Sequence, residues 1–189
     1  MDMFNYVMVL ASIIIGLGMT HLLYGIAQFA QHPDREKPYW VHLVWVAGAF
    51  FQAIFWWWWE FRLSANTNWT FGLYLFVLLY AFIIYLRCAL LFPSDLEGYD
   101  GYRGYFYSRR VWLFGTALAQ VFVDLGDTLF KGWAHFTSLG IGYPIASATM
   151  IVLFTIAAIT RSERYHGALA VLIVTYQLYI ALSYYGTMQ

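Results

Sequence analysis

The chain has 189 residues, of which 62% are hydrophobic, 22% aromatic and only 11% charged, with a formal net charge of zero. A soluble domain carries about 25% charged residues, so an ordinary soluble globule is excluded and an integral membrane protein is predicted. Charge neutrality leaves no electrostatic footprint for nucleic acid, and the single cysteine, Cys88, makes neither an intrachain disulfide nor a metal-ligand spacing.

A spanning helix needs about 20 mainly apolar residues, because every backbone polar group must be satisfied within the segment. Six segments meet that requirement, so the predicted fold is an all-α polytopic bundle of six transmembrane helices in one domain, residues 1–189. The first span covers residues 4–30. Its leader, Met1 to Phe4, has no basic residue, and its apolar run exceeds the roughly 7–15 residues of a signal peptide, so it reads as a retained helix. Gly18 and Gly25 stand three residues before and four residues after His21, and with Gly16 they form a small-residue stretch suited to helix packing within or between subunits.

A polar stretch containing Pro33 and Pro38 leads to the second span, 39–60, which begins near His42 and ends on Trp56, Trp57, Trp58, Trp59 and Glu60. Four consecutive helical residues point around most of the helix circumference. The tryptophans therefore suit interface anchoring, with an aromatic wall for a pigment, quinone or cation as the sharper alternative. The third span, 70–92, carries Arg87 near its end, where a long side chain snorkels to the headgroups. The loop from Pro93 to Arg109 is too short for an independent domain. Its tyrosines and mixed charges suit lipid-headgroup anchoring or partner docking.

The fourth span, 110–129, is the least apolar. Gln120, Asp124, Asp127, Thr128 and Lys131 follow one another at steps of four, three, one and three, which puts most of them on one helical stripe. An aspartate at a helix centre costs about 2.5–3.5 kcal/mol on translocon scales, and such groups face the bundle or a wet cavity. The functional reading is an outward-facing acidic vestibule, with Glu60 at similar depth, that attracts or relays a cation or proton. The structural reading pairs Asp127 with Lys131, pairs Glu60 with Arg62 or uses it as a cap, and bonds Asp124 to a tyrosine or amide across the bundle.

The fifth and sixth spans cover 141–160 and 165–185. His166 opens the sixth and joins His21 and His42 as candidate ligands for haem b, the alternative cofactor reading. Their depths differ by roughly 9–12 Å along the helix axes, which counts against a simple pair, and no cofactor or metal site is otherwise predicted. No Walker loop, HExxH, GxSxG or dinucleotide fingerprint is present, so no sequence feature argues for an enzyme.

Arg35, Lys37, Arg87, Arg103, Arg109, Arg110, Arg161 and Arg164 fall on or near one side of the six spans, against Arg62 and Lys131 on the other. The positive-inside rule then puts both termini outside the cytoplasm. Phe4 to Val7, Gly16 to Gly25, Tyr39 to Trp45 and Leu91 to Gly98 resemble a widespread group of small bacterial inner-membrane proteins with no known activity. That resemblance implies a multi-pass domain in a bacterial cytoplasmic membrane and brings no substrate or cofactor with it. Three functions stay open: a small proton or cation channel or transporter, an accessory or scaffold subunit of a larger membrane complex or homo-oligomer, and a haem- or quinone-binding redox protein.

Overall fold

A computed structural model describes residues 3–32, 37–66 and 68–185. Arg35, counted above among the basic residues, lies outside the described residues. Among these the chain forms seven α-helices: α1 (Met3–Gln31), α2 (Trp40–Glu60), α3 (Phe71–Ala89), α4 (Gly101–Phe130), α5 (Trp133–Ser138), α6 (Gly142–Ile159) and α7 (Glu163–Tyr185). A 3-10 turn, Phe61–Ala65, continues α2. All except the short α5 are long and apolar enough to cross a membrane.

The helices pack in two layers. The row α1, α3, α4, α6 places each helix against the next, while α2 lies over α1, α3 and α4 and holds α7. Large apolar side chains such as Ile13, Leu17, Phe82, Val152 and Leu172 are exposed, whereas His42, Glu60, Gln120, Asp127 and His166 are buried. That inverts the distribution of a soluble protein and suits a lipid-facing exterior.

The fourth helix is longer than its apolar run. It begins at Gly101, nine residues before the predicted start, so most of the Pro93 to Arg109 loop is helical. Tyr102, Tyr105 and Phe106 recur at helical spacing and are buried, while Arg103 and Arg109 on the opposite side are exposed. Gly98, just before this helix, and Gly101, its first residue, adopt φ of 79° and 61°, a region that favours glycine.

The third helix is shorter than predicted, ending at Ala89 instead of Phe92. Its trailing carbonyls would be costly to leave bare in hydrocarbon, and three neighbouring helices supply donors. Tyr105 of α4 donates its hydroxyl to the Leu90 carbonyl at 2.8 Å, His42 of α2 donates Nε2–H to Leu91 at 2.6 Å, and His21 of α1 donates to Phe92 at 2.8 Å. His166 does the same for α6, donating to the Thr160 carbonyl at 3.1 Å. Each of the three histidines singled out from the sequence therefore uses Nε2 to close a helix end.

The glycines divide by face. Gly18 lies against α3, where an added Cβ would stand 3.3 Å from Cys88 Cβ, and a Cβ on Gly25 would overlap the Phe92 ring. Gly16 faces open space and packs on nothing within the described chain.

Candidate functional site

The site is built on the α4 stripe, which runs from Gln120 to Lys131, the residue after the helix, a span of eleven residue steps. At 1.5 Å per residue this is about 16 Å, half of a hydrocarbon core about 30 Å thick. Each level of the stripe meets a different neighbouring helix.

At the outermost level, Lys131 follows the last turn of α4 and turns inward between two carboxylates. Its ammonium lies 2.5 Å from Asp127 Oδ2, one turn back on the same helix, and 3.3 Å from Glu60 Oε1 at the end of α2. The Lys131 side chain is 3% exposed and both acidic side chains 1%, so the three charges are sealed from solvent. The remaining oxygens, Glu60 Oε2 and Asp127 Oδ1, are buried without a hydrogen-bond partner. Trp59 covers the ammonium, its ring centroid 5.6 Å from Nζ. Arg62, the alternative partner for Glu60 in the sequence reading, sits instead 5.5 Å from that ring.

The next level belongs to Asp124. Tyr80 from α3 donates to Oδ1 at 3.0 Å and Tyr143 from α6 donates to Oδ2 at 2.7 Å. Tyr143 has one proton to give, so its 2.9 Å contact with Thr128 Oγ1 is a hydrogen bond donated by the threonine. Thr128, Tyr143 and Asp124 thus form a short chain of hydroxyls ending on a carboxylate. Deeper still, Gln120 Oε1 accepts a 3.0 Å hydrogen bond from Arg87 Nη1 of α3. Arg87 is buried and turned inward, contrary to the snorkelling predicted for it, because α3 stops at Ala89 and the Leu90 to Phe92 segment is itself buried or half-buried.

Above the sealed triad lies a cleft of about 550 Å³, lined by Phe61, Arg62, Ser64, Asn66, Lys131 and His135 among others. Burial, with the Arg62 and Lys131 charges nearby, holds the His135 imidazole below its ordinary value, and its Nε2 has no hydrogen-bond partner. That burial and those charges make the ring a weaker base than an ordinary histidine, and the unpartnered nitrogen is itself buried.

The structure therefore brings Glu60, Asp127 and Lys131 to one point and sets Asp124 and Gln120 beneath them on separate partners. Tyr80, Tyr143, Thr128, Arg87 and His135 complete the arrangement. Tyr80 and Tyr143 carried no distinguishing signal, since both resemble the tyrosines that populate membrane interfaces. Of the three cofactor candidates, His21 and His42 meet at the adjacent Phe92 and Leu91 carbonyls, each bonded to its own carbonyl, whereas His166 packs apart from them with Phe106, Tyr107 and Phe114. Among the described residues, no group of three or more His, Cys, Asp or Glu side chains is placed to hold a metal ion. No family model, curated protein or solved structure matches the chain.

Proposed function

We propose that this chain is a multi-pass membrane protein that passes protons, using the Glu60, Asp127 and Lys131 triad and Asp124 as successive carriers. The observation that carries the reading is the charge balance of the triad. Two buried carboxylates share one ammonium, and each keeps an oxygen without a partner. With all three groups ionised the cluster holds one excess negative charge in a dry site, which a proton or a small cation neutralises.

Geometry favours the proton over a hydrated cation. Asp127 and Thr128 have no exposed surface, so an ion keeping its water shell finds no room between the cleft and Asp124. A proton needs only hydroxyls and carboxylates within hydrogen-bond reach, and Thr128, Tyr143 and Asp124 supply them. In this reading the cleft delivers the proton and Lys131 guards the step inward.

The cleft lies beside the start of α1, where Phe4 packs on Phe61 and Trp69. Arg103, Arg110 and Arg164 belong to the opposite end, where Arg103 binds Glu163 at 3.1 Å and Arg110 reaches the Ile159 carbonyl. The positive-inside rule then faces the cleft and both termini away from the cytoplasm of a bacterial inner membrane.

The test is proton flux into proteoliposomes holding a pH-sensitive dye, driven by an imposed membrane potential. The parent is expected to acidify the lumen, with Asp124→Asn and Asp127→Asn lowering the rate by about tenfold or more, the contribution of a positioned proton carrier being roughly 10²–10⁴. Asp95→Asn, in an exposed turn, is the matched control and should leave the rate unchanged. Equal flux in the parent, both stripe variants and empty vesicles would end the proposal.

A further inference from the structure

The polar stripe of α4 ends one turn below Asp124. Gln120 lies four residues deeper, about 6 Å at 1.5 Å per residue, and its Oε1 accepts from Arg87 Nη1 of α3 at 3.0 Å. A turn further in, α4 contributes Leu113, Phe114, Thr116 and Ala117, all buried, and the Thr116 hydroxyl is donated to the Leu113 carbonyl of its own helix. Arg87 therefore stands where the line of carriers stops.

Its charge has no counter-ion at this level. Arg87 is 7% exposed, and among the described residues it pairs with no carboxylate. Its neighbours are neutral: the Gln120 amide and the Trp45 ring, whose centroid lies 5.9 Å from the guanidinium carbon. The adjoining void of about 10 Å³ has Arg87 in its own wall, with Trp45, Leu91 and Phe114. Lys131 differs in this respect, since it sits between two carboxylates. A second positive charge reaching Gln120 meets the guanidinium in a medium of low dielectric, where repulsion is several times stronger than in water. An arginine placed in a conduction path is an electrostatic barrier to protons and cations.

We infer that Arg87 is the gate of the relay: its charge, held against Gln120, opposes the inward step from Asp124 and limits the proton flux. The inference rests on the proton-passing reading and adds to it the residue that sets the rate. It depends on charge, so it is tested by variants that change the charge in different ways.

The measurement is the same proton flux into proteoliposomes. Arg87→Gln removes the cation, and Gln120→Glu cancels it with a carboxylate of nearly the same volume while leaving Arg87 in place. Both should raise the flux above the parent's by roughly tenfold. Arg87→Lys keeps a cation and should fall well short of either. A bundle loosened by substitution would leak without regard to the carriers, so each charge-cancelling variant is also combined with Asp124→Asn. Flux admitted by an open gate should drop in these double variants to the level of Asp124→Asn alone. A folded charge-cancelling variant with flux no higher than the parent's, or a raised flux that survives Asp124→Asn, overturns the gate. The relay itself then still stands if the parent's flux depends on Asp124 and Asp127. No flux in the parent or in either charge-cancelling variant overturns both readings together.

Discussion

Lys131→Met is expected to lower the stability of the folded protein by about 3–5 kcal/mol, the range seen when one member of a buried ion pair is removed. The side chain it replaces holds two carboxylates that are almost wholly withdrawn from solvent, at 2.5 and 3.3 Å. Methionine fills a similar volume and leaves Glu60 and Asp127 as two buried anions with no cation between them. The effect is electrostatic, so it should be reversed by chemistry that removes charge: Lys131→Met combined with Glu60→Gln and Asp127→Asn should recover most of the loss. Arg62→Met is the control, since Arg62 is exposed and stands over the face of Trp59, a contact worth about 0.5–1 kcal/mol at an exposed site. Thermal or denaturant unfolding in detergent reads all three variants beside the parent. If Lys131→Met falls within about 1 kcal/mol of the parent, the ammonium is not what holds this end of the bundle together.

The α4 stripe was legible in the sequence because the steps between Gln120, Asp124, Asp127 and Lys131 are themselves the helical period. The Asp127 and Lys131 pair was legible with it, and a tyrosine for Asp124 was one of the options, but which distant residues would supply the cross-bundle contacts was not, since Glu60 and Lys131 lie 71 residues apart and Tyr80 and Asp124 lie 44 apart. Such contacts follow from which helices stand next to one another. Arg87 shows a second kind of difficulty. Its place near a span end suggested a headgroup contact, but a helix that stops three residues early brings that position inside. The start of α4 shows a third: averaged over the loop, the polar residues hide the Tyr102, Tyr105, Phe106 face, and only the period reveals it.

The histidines join these observations to function. His21, His42 and His166 stood out as candidate ligands because histidine is uncommon inside a span, and each is found capping a carbonyl at a helix terminus. A shortened α3 requires such donors in hydrocarbon, and the same shortening is what places Arg87 beside Trp45 and Gln120. The polar interior is therefore organised by where α3 ends. One group of its polar residues satisfies the backbone there, and another extends along α4 toward the cleft.

That view gives the glycines of α1 unequal weight. At 100° per residue, Gly18 and Gly25 fall within about 20° of the same direction, whereas Gly16 points about 160° away. Gly25→Ala is accordingly expected to destabilise the protein by about 1–3 kcal/mol, the usual cost of forcing extra volume into a packed contact. The new methyl group would overlap the ring of Phe92, which cannot readily swing aside. That ring is packed among Phe29, His42 and Tyr102, and the Phe92 carbonyl is held by His21. Gly16→Ala adds the same methyl to open space and should be neutral or slightly stabilising, alanine being favoured over glycine in a helix by up to about 1 kcal/mol. If the clash is the cause, Phe92→Leu should relieve it, so the double variant Gly25→Ala with Phe92→Leu should lose less than the two single losses combined. Equal unfolding midpoints for Gly25→Ala and Gly16→Ala would mean that α1 and the end of α3 are not in contact at this point, and the capping of α3 by His21 would lose its geometric basis.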